Sequence, residues 1–189
     1  MQKLQGYQLK ETLFSNQQTE IFRAQREDGG QSVIIRTLSN KESDKAQGEA
    51  FDKESNASIT HTSGRYSRLA FTREVLSMLD HPSIVKAVDW VDDERTPSLI
   101  MEDIHGIDLW AYAETFKNKQ VPLEAFLKLA IQLADALSVI HHAQVIHKDL
   151  HPGNMVVNPA LEGENAGREQ IIDFGLASLL SHEQPALAT

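Results

Sequence analysis

The chain has 189 residues, 41% of them hydrophobic and 24% charged, with a net charge of −9 at pH 7 and no cysteine. That is the make-up of one full domain or two small lobes of an ordinary globular protein, and it excludes a disulfide framework or a Cys-based metal site. The acidic balance, without a basic block, argues against nucleic-acid partners, and neither a secretory leader nor a run of the ~20 apolar residues that a membrane span needs is present, so the expected setting is cytoplasmic.

In chain order, "GYQLKETLF" and "TEIFRAQRE" read as two strands around a polar turn, "EDGG" as a hairpin signal, and "QSVIIRTL" as a third strand buried on both faces around Ile34 and Ile35. Residues 39–65 are polar and scattered with Gly, Ser and Asn, which predicts a flexible insertion, with a short surface helix in its middle as the alternative. Leu69, Thr72, Leu76 and Leu79 then recur at helical spacing, widened by Val75 and Met78. Pro82 in "DHPSIV" stops that helix, and "IVKAVDWVDD" and "PSLIMED" read as two more strands. From Pro122 onward a long amphipathic helix is expected to bury Leu123, Phe126, Leu127, Ile131, Ala134, Leu137 and Ile140, with Glu124 at the positive end of its dipole. After it come the loop "HKDLHPGN", a strand "MVV", a Gly/Asn-rich turn, a strand "QIID" and then "FG".

Asp149 and Asn154 share that loop, and Asp173 stands against Phe174-Gly175. Two carboxylates and an amide oxygen suit Mg²⁺, a hard cation that takes a few protein oxygens and completes its shell with phosphates and water. A carboxylate can also orient a hydroxyl and accept its proton during phosphoryl transfer.

"HKDLHPGN…IIDFG" resembles the catalytic loop and metal-binding motif of protein kinases, H-R-D-L-x-x-x-N and D-F-G. "FTREVLSMLDHPSIVKAVDW" resembles the family's αC helix and the following strand, "SLIMEDIHGIDL" its fifth strand and hinge, and "SVIIRTL" its V-A-I-K strand. The resemblance covers essentially the whole chain, in order. It implies an α+β, protein kinase-like fold: a five-stranded N-lobe with αC over residues 1–104, and over 105–189 the first, mainly helical part of a C-lobe with αD, αE, the catalytic loop and D-F-G. It implies ATP and Mg²⁺ as cofactors and these roles: Asp149 as catalytic base; Asn154 and Asp173 as metal ligands; Glu74 paired with Arg36; Met101 as gatekeeper; the backbone of Glu102 and Ile104 at the adenine; Asp108 near the ribose; and Ile21, Ile34 and Val156 lining the base. His147 is expected to pack inside the loop, and Asp108 has helix capping as its other reading.

Four positions depart from the family pattern. The phosphate loop falls on "LFSNQQTEIF", which has no glycine to bring backbone amides close to phosphates. Arg36 stands for the usual lysine, keeping charge but changing geometry. Ile34 is larger than the usual small residue. His151 replaces the lysine two places after the catalytic aspartate, and a neutral imidazole would withdraw a positive charge there. "HPGN" is similar to aminoglycoside phosphotransferases and other small-molecule kinases of the fold. More narrowly, "VIHKDLHPGNMVVNP" and "IIDFGLASLLSHEQPAL" resemble the N-terminal Ser/Thr kinase-like domain of large bacterial multidomain signalling proteins. That implies a protein substrate or downstream domains of the same polypeptide as partners. Two alternatives to a Ser/Thr protein kinase-like domain follow from the departures: a pseudokinase scaffold and a small-molecule phosphotransferase. Only "LASLLSHEQPALAT" follows D-F-G, so the expectation is a chain cut short of the family's full length and inactive alone.

Overall fold

The computed structural model describes residues 3–4, 6–39, 56–93, 96–160, 163 and 166–180, and for residues 3 and 56–63 the backbone only. These residues fall into two compact units, one drawn from Met1–Arg73 and Ala87–Asp103, the other from Glu74–Lys86 and Ile104–Thr189.

The first unit is built on an antiparallel sheet. Its strands are β1 (Lys3–Leu4), β2 (Tyr7–Ser15), β3 (Thr19–Arg26), β4 (Ser32–Leu38), β5 (Ala87–Val91) and β6 (Ser98–Glu102), in the spatial order β1-β2-β3-β4-β6-β5. Five are full strands, and β1 adds two residues at the edge. The "EDGG" turn joins β3 to β4. Gly29 takes a φ of +80°, where a side chain would be strained, and its N–H reaches the Arg26 carbonyl. Side chains alternate along each strand. One face buries Tyr7, Phe22, Ala24, Val33, Ile35 and Ile100 as a continuous core, and the Tyr7 hydroxyl donates to Asp89 at 2.8 Å. The register puts Ile21, Arg36 and Leu99 side by side on the opposite face, with Arg23, Ile34 and Met101 in the next row. So β4 is not buried on both faces: Ile35 is 1% exposed while Ile34 is only half-buried, because only one side of the strand meets the apolar cluster.

The helix α1 runs Asn56–Ser77. It starts well before the leucine stripe, inside the stretch read as a flexible insertion; residues 40–55 of that stretch lie outside the described residues. Leu69, Thr72, Val75, Leu76 and the following Leu79 are buried. Met78, expected to widen the stripe, is 47% exposed, because the helix has already ended at Ser77. Within the first unit α1 packs on β5 through Trp90, which meets the Tyr66 ring edge-on and the Arg73 guanidinium face-on.

In the second unit the segment after α1 runs alongside β10 (Glu169–Ile171). Ile171 N–H donates to the Ser83 carbonyl, Val85 N–H to the Ile171 carbonyl, and Arg168 Nε to the Pro82 carbonyl. β10 pairs with β9 (Met155–Val157), which pairs with β7 (Ile107–Asp108). A two-stranded pairing joins β8 (Val145–Ile146) to β11 (Ser178–Leu179). The helices are α2 (Leu109–Glu114) and α3 (Leu123–His142). Pro122 caps α3 rather than opening its first turn, and Glu124 pairs with Lys128 one turn on.

α3 departs from its expected burial. Ile140 and Ala136 are fully buried and Leu137 half-buried, but Leu123, Phe126, Leu127, Ile131 and Ala134 are exposed. α3 contacts β8 and β10, with the Glu169 N–H of β10 donating to Gln132 at the middle of the helix, while the apolar residues nearer its N-terminus stay exposed.

One buried group is out of keeping with its surroundings. Glu169 is 1% exposed, and neither carboxylate oxygen has a hydrogen-bond partner among the described residues. Burial raises its pKa from 4.5 to about 7.

Candidate functional site

The second unit brings the oxygen-bearing residues together. The loop between β8 and β9 folds over His147, which is 2% exposed. Its Nδ1 accepts the Asp149 N–H at 3.3 Å, which leaves Nε2 as the protonated nitrogen, bonded to the Ile172 carbonyl at 2.9 Å. The ring also sits edge-on to Phe174 at 4.6 Å. One imidazole therefore ties the Asp149 backbone to the two residues flanking Asp173. As expected, it packs and bonds within the loop.

Asn154, buried at 9% exposure, closes the loop. Its amide nitrogen donates to the Asp149 carbonyl and to Asp149 Oδ2, both at 2.9 Å. Both acceptors are oxygens, so the amide orientation is fixed, and Oδ1 is the atom that remains for a cation. The Asn154 carbonyl accepts the Ile172 N–H at 2.9 Å. Asp173 follows at once. It lies two residues past the end of β10, not at a strand end as the sequence suggests, with φ 56° and ψ 69°. A left-handed aspartate is uncommon and persists where neighbours enforce it; here its carboxylate accepts the Gly175 N–H at 3.1 Å. Lys148, one residue before Asp149, is likewise left-handed at φ 68°.

A metal can be tested against these donors. Among the described residues no group of three or more His, Asp or Glu side chains is arranged around a cation. The oxygen set is a carboxylate from Asp173 and an amide from Asn154. Such a set fits Mg²⁺, which keeps several sites for water and phosphate, and fits poorly a metal that needs imidazole or more anionic ligands.

His151 lies beside this pair. Its Nδ1 accepts the Gly153 N–H at 3.1 Å, and its Nε2 is 3.8 Å from Asp149 Oδ2. The imidazole thus turns its remaining N–H edge toward the carboxylate, and both side chains are partly open to solvent.

The residues expected around a base divide between the units. In the first, the sheet register sets Ile34 beside Met101 and Ile21 beside Arg36 on the face opposite the apolar core, with Glu102 closing β6. In the second, Ile104 is buried and its carbonyl accepts Asn158 Nδ2 at 2.6 Å. Val156 sits in β9 against Gly106, where any Cβ would come within 3.1 Å of the valine side chain. Asp108 is the N-cap of α2, accepting the Ala111 N–H at 2.8 Å. Glu74 lies exposed in α1.

Three features escaped the sequence. In the turn between β2 and β3, Asn16 Oδ1 accepts the N–H groups of Gln18 and Thr19 at 2.8 and 2.7 Å; Asn at a turn is a legible signal, but its use of both amides is not. Asp103 is buried against Arg23 and Ser32, from 80 and 71 residues away. Glu169 is buried where an exposed strand residue would be read.

The family model described as "Protein kinase domain" matches residues 7–189. The chain belongs to the protein kinase family, whose members in general use ATP and Mg²⁺. It is 34% identical over 112 residues to serine/threonine-protein kinase pkn2 of Myxococcus xanthus, covering 58% of this chain and 13% of that protein. It is 32% identical over 113 residues to serine/threonine-protein kinase PrkC of Bacillus subtilis, covering 59% of this chain and 16% of that one. To CBL-interacting protein kinase 4 of Oryza sativa it is 28% identical over 175 residues, covering 92% of this chain and 33% of that protein. The chain spans a third or less of the length of these relatives.

Proposed function

We propose that this chain supplies the nucleotide-handling part of a serine/threonine protein kinase, working on a protein hydroxyl within a signalling polypeptide. The observation that carries the reading is the Asn154–Asp149 lock beside a left-handed Asp173. It leaves the Asn154 amide oxygen for a cation, with the Asp173 carboxylate as the second ligand in this reading and the Asp149 carboxylate on the same loop as Asn154.

In this reading Asp149 orients the acceptor hydroxyl and takes its proton as the oxygen attacks the γ-phosphorus. The bond from that phosphorus to the β–γ bridging oxygen breaks, and ADP leaves. Asn154 and Asp173 would hold Mg²⁺, which would supply neutralisation of the phosphate charge when bound. His151 would present its Nε2 edge toward the transferring group in place of a lysine. Arg36 would meet the phosphates and pair with Glu74. Ile21, Ile34, Met101 and Val156 would line the base, with the backbone of Glu102 and Ile104 hydrogen-bonded to it. Asp108 would reach the ribose with the carboxylate oxygen not engaged in its cap. The acceptor is a protein substrate or a further domain of the same polypeptide. Dependence on ATP and the absence of cysteines both suit a cytoplasmic setting, and no helix among the described residues is long and apolar enough to cross a membrane.

The test is calorimetric titration of the polypeptide carrying this chain with Mg·ATP and with ATP in excess chelator. The expected result is binding that needs Mg²⁺ and is lost in Asp173→Ala. Equal binding with and without the metal, or an unaffected Asp173→Ala, refutes the metal assignment.

A further inference from the structure

The residue between Glu102 and Ile104 is a buried aspartate. The Asp103 side chain is 3% exposed. Its Oδ2 accepts Arg23 Nε at 2.8 Å from β3 and Ser32 Oγ at 2.7 Å from β4. The Arg23 guanidinium also donates through Nη1 to Glu11 Oε2 on β2 at 2.6 Å. One arginine therefore ties β2, β3 and the end of β6 together, and the serine adds β4.

The placement on the sheet gives the network its meaning. Arg23 stands directly opposite Ile34, and Ile34 directly opposite Met101. With a two-residue period, Ser32 and Asp103 continue the same face. Arg23 thus lies in the row of Ile34 and Met101, and Ser32 and Asp103 continue that face one step toward the end of β6. A buried charge pair costs desolvation and stabilises little compared with apolar packing of the same volume. What it does supply is direction, because a guanidinium and a carboxylate meet in few geometries.

We infer that Arg23, Ser32 and Asp103 are positioning residues for adenine recognition: they fix the chain at Glu102–Asp103 so that its backbone groups are presented to the base in one orientation. The inference rests on the nucleotide-binding reading above. It predicts that the network acts on the base and not on the phosphates.

The experiment measures the affinities of adenosine, Mg·ATP and Mg·tripolyphosphate for the polypeptide carrying this chain and for Arg23→Gln, Asp103→Asn and Ser32→Ala. Circular dichroism identifies variants that fold. Arg23→Gln and Asp103→Asn are expected to weaken adenosine and Mg·ATP by a common factor of about 10, the size of a lost charge-assisted hydrogen bond, with tripolyphosphate unchanged. Ser32→Ala, which keeps the charge pair, is expected to give about a two-fold loss for the same two ligands and decides the matter if the charge variants do not fold. Equal weakening of all three ligands, or unchanged adenosine affinity in folded variants, overturns the inference alone. A parent protein that binds neither adenosine nor Mg·ATP overturns the nucleotide reading and this inference with it.

Discussion

Two loops in this chain, one in each unit, arrange their polar groups in opposite ways. The loop from His147 to Asn154 turns its bonds inward so that particular side-chain oxygens stay available. His147 spends both nitrogens on backbone, and Asn154 spends its amide nitrogen on Asp149. The turn from Asn16 to Thr19 turns its bonds inward until little is left. The Asn16 side chain accepts two of its N–H groups, and Asn16 N–H itself donates to the Thr19 carbonyl at 3.0 Å. Glycine-rich loops owe their use to unsatisfied amides that approach a phosphate. Here the amides of Asn16, Gln18 and Thr19 are satisfied by the turn itself. On the proposed function, the comparison leaves phosphate contacts to side chains outside this turn and makes the β2–β3 turn a structural connection.

The largest expected effect comes from breaking the first loop at its chemistry while keeping its shape. Asp149→Asn is nearly isosteric, and its amide oxygen can still accept the Asn154 bond. The fold should hold, and phosphorylation by the polypeptide carrying this chain should fall by about 10²–10⁴-fold, the range for loss of a general base. A rate within a few-fold of the parent would show that the acceptor proton goes elsewhere and that Asp149 serves only to hold Asn154.

A smaller effect should appear four residues before Asp173, where the well-tied region has a flaw. Glu169 is buried without a partner among the described residues, and its pKa lies near 7 instead of 4.5. The neutral acid suits the fold. Below pH 4.5 the group is neutral both folded and unfolded, and its contribution is intact. As pH rises from 4.5 through about 7 the unfolded chain ionises first, so stability falls, by roughly 1.4 kcal/mol per unit separating the two pKa values. Glu169→Gln, which cannot ionise, should match the parent in urea denaturation at pH 4 and exceed it at pH 8 by about 1–3 kcal/mol. A gap that does not change with pH would show that the carboxylate finds a donor in the assembled protein.

These contrasts also mark how far the sequence alone could be read. The order of strands, the helix around Leu69–Leu76 and the residues of the loop were legible, because alternation, helical spacing and a motif of closely spaced residues are all local signals. The bounds were less so: α1 begins at Asn56 because its first turns lack an apolar stripe to announce them, and Asp173 falls outside its strand because nothing local says that "QIID" ends at Ile171. The exposed N-terminal half of α3 was misread, since periodicity shows which face is apolar and not whether anything covers it. Arg23 and Asp103 could not be paired at all: each is an ordinary charged residue until the sheet brings β3 to the end of β6.

The smallest effect sharpens the comparison most directly. If the β2–β3 turn is closed by Asn16, then Asn16→Gly should release the Gln18 and Thr19 amides and allow the chain the positive φ that close approach to phosphate requires. Affinity for Mg·ATP should rise two- to five-fold, an increment of about 1 kcal/mol or less, while adenosine affinity stays where it was. The turn is exposed, so the lost hydrogen bonds should lower stability by about 1 kcal/mol at most. Asn16→Ala separates the two causes: it frees the same amides without granting the backbone freedom. If alanine and glycine tighten Mg·ATP alike, satisfied amides are what silences the turn. If glycine alone does, the limit is the backbone, and the side-chain bonds are only its consequence. Should both variants weaken Mg·ATP and leave adenosine unchanged, the Asn16 turn itself contacts phosphate, and the contrast between the two loops fails at its first step.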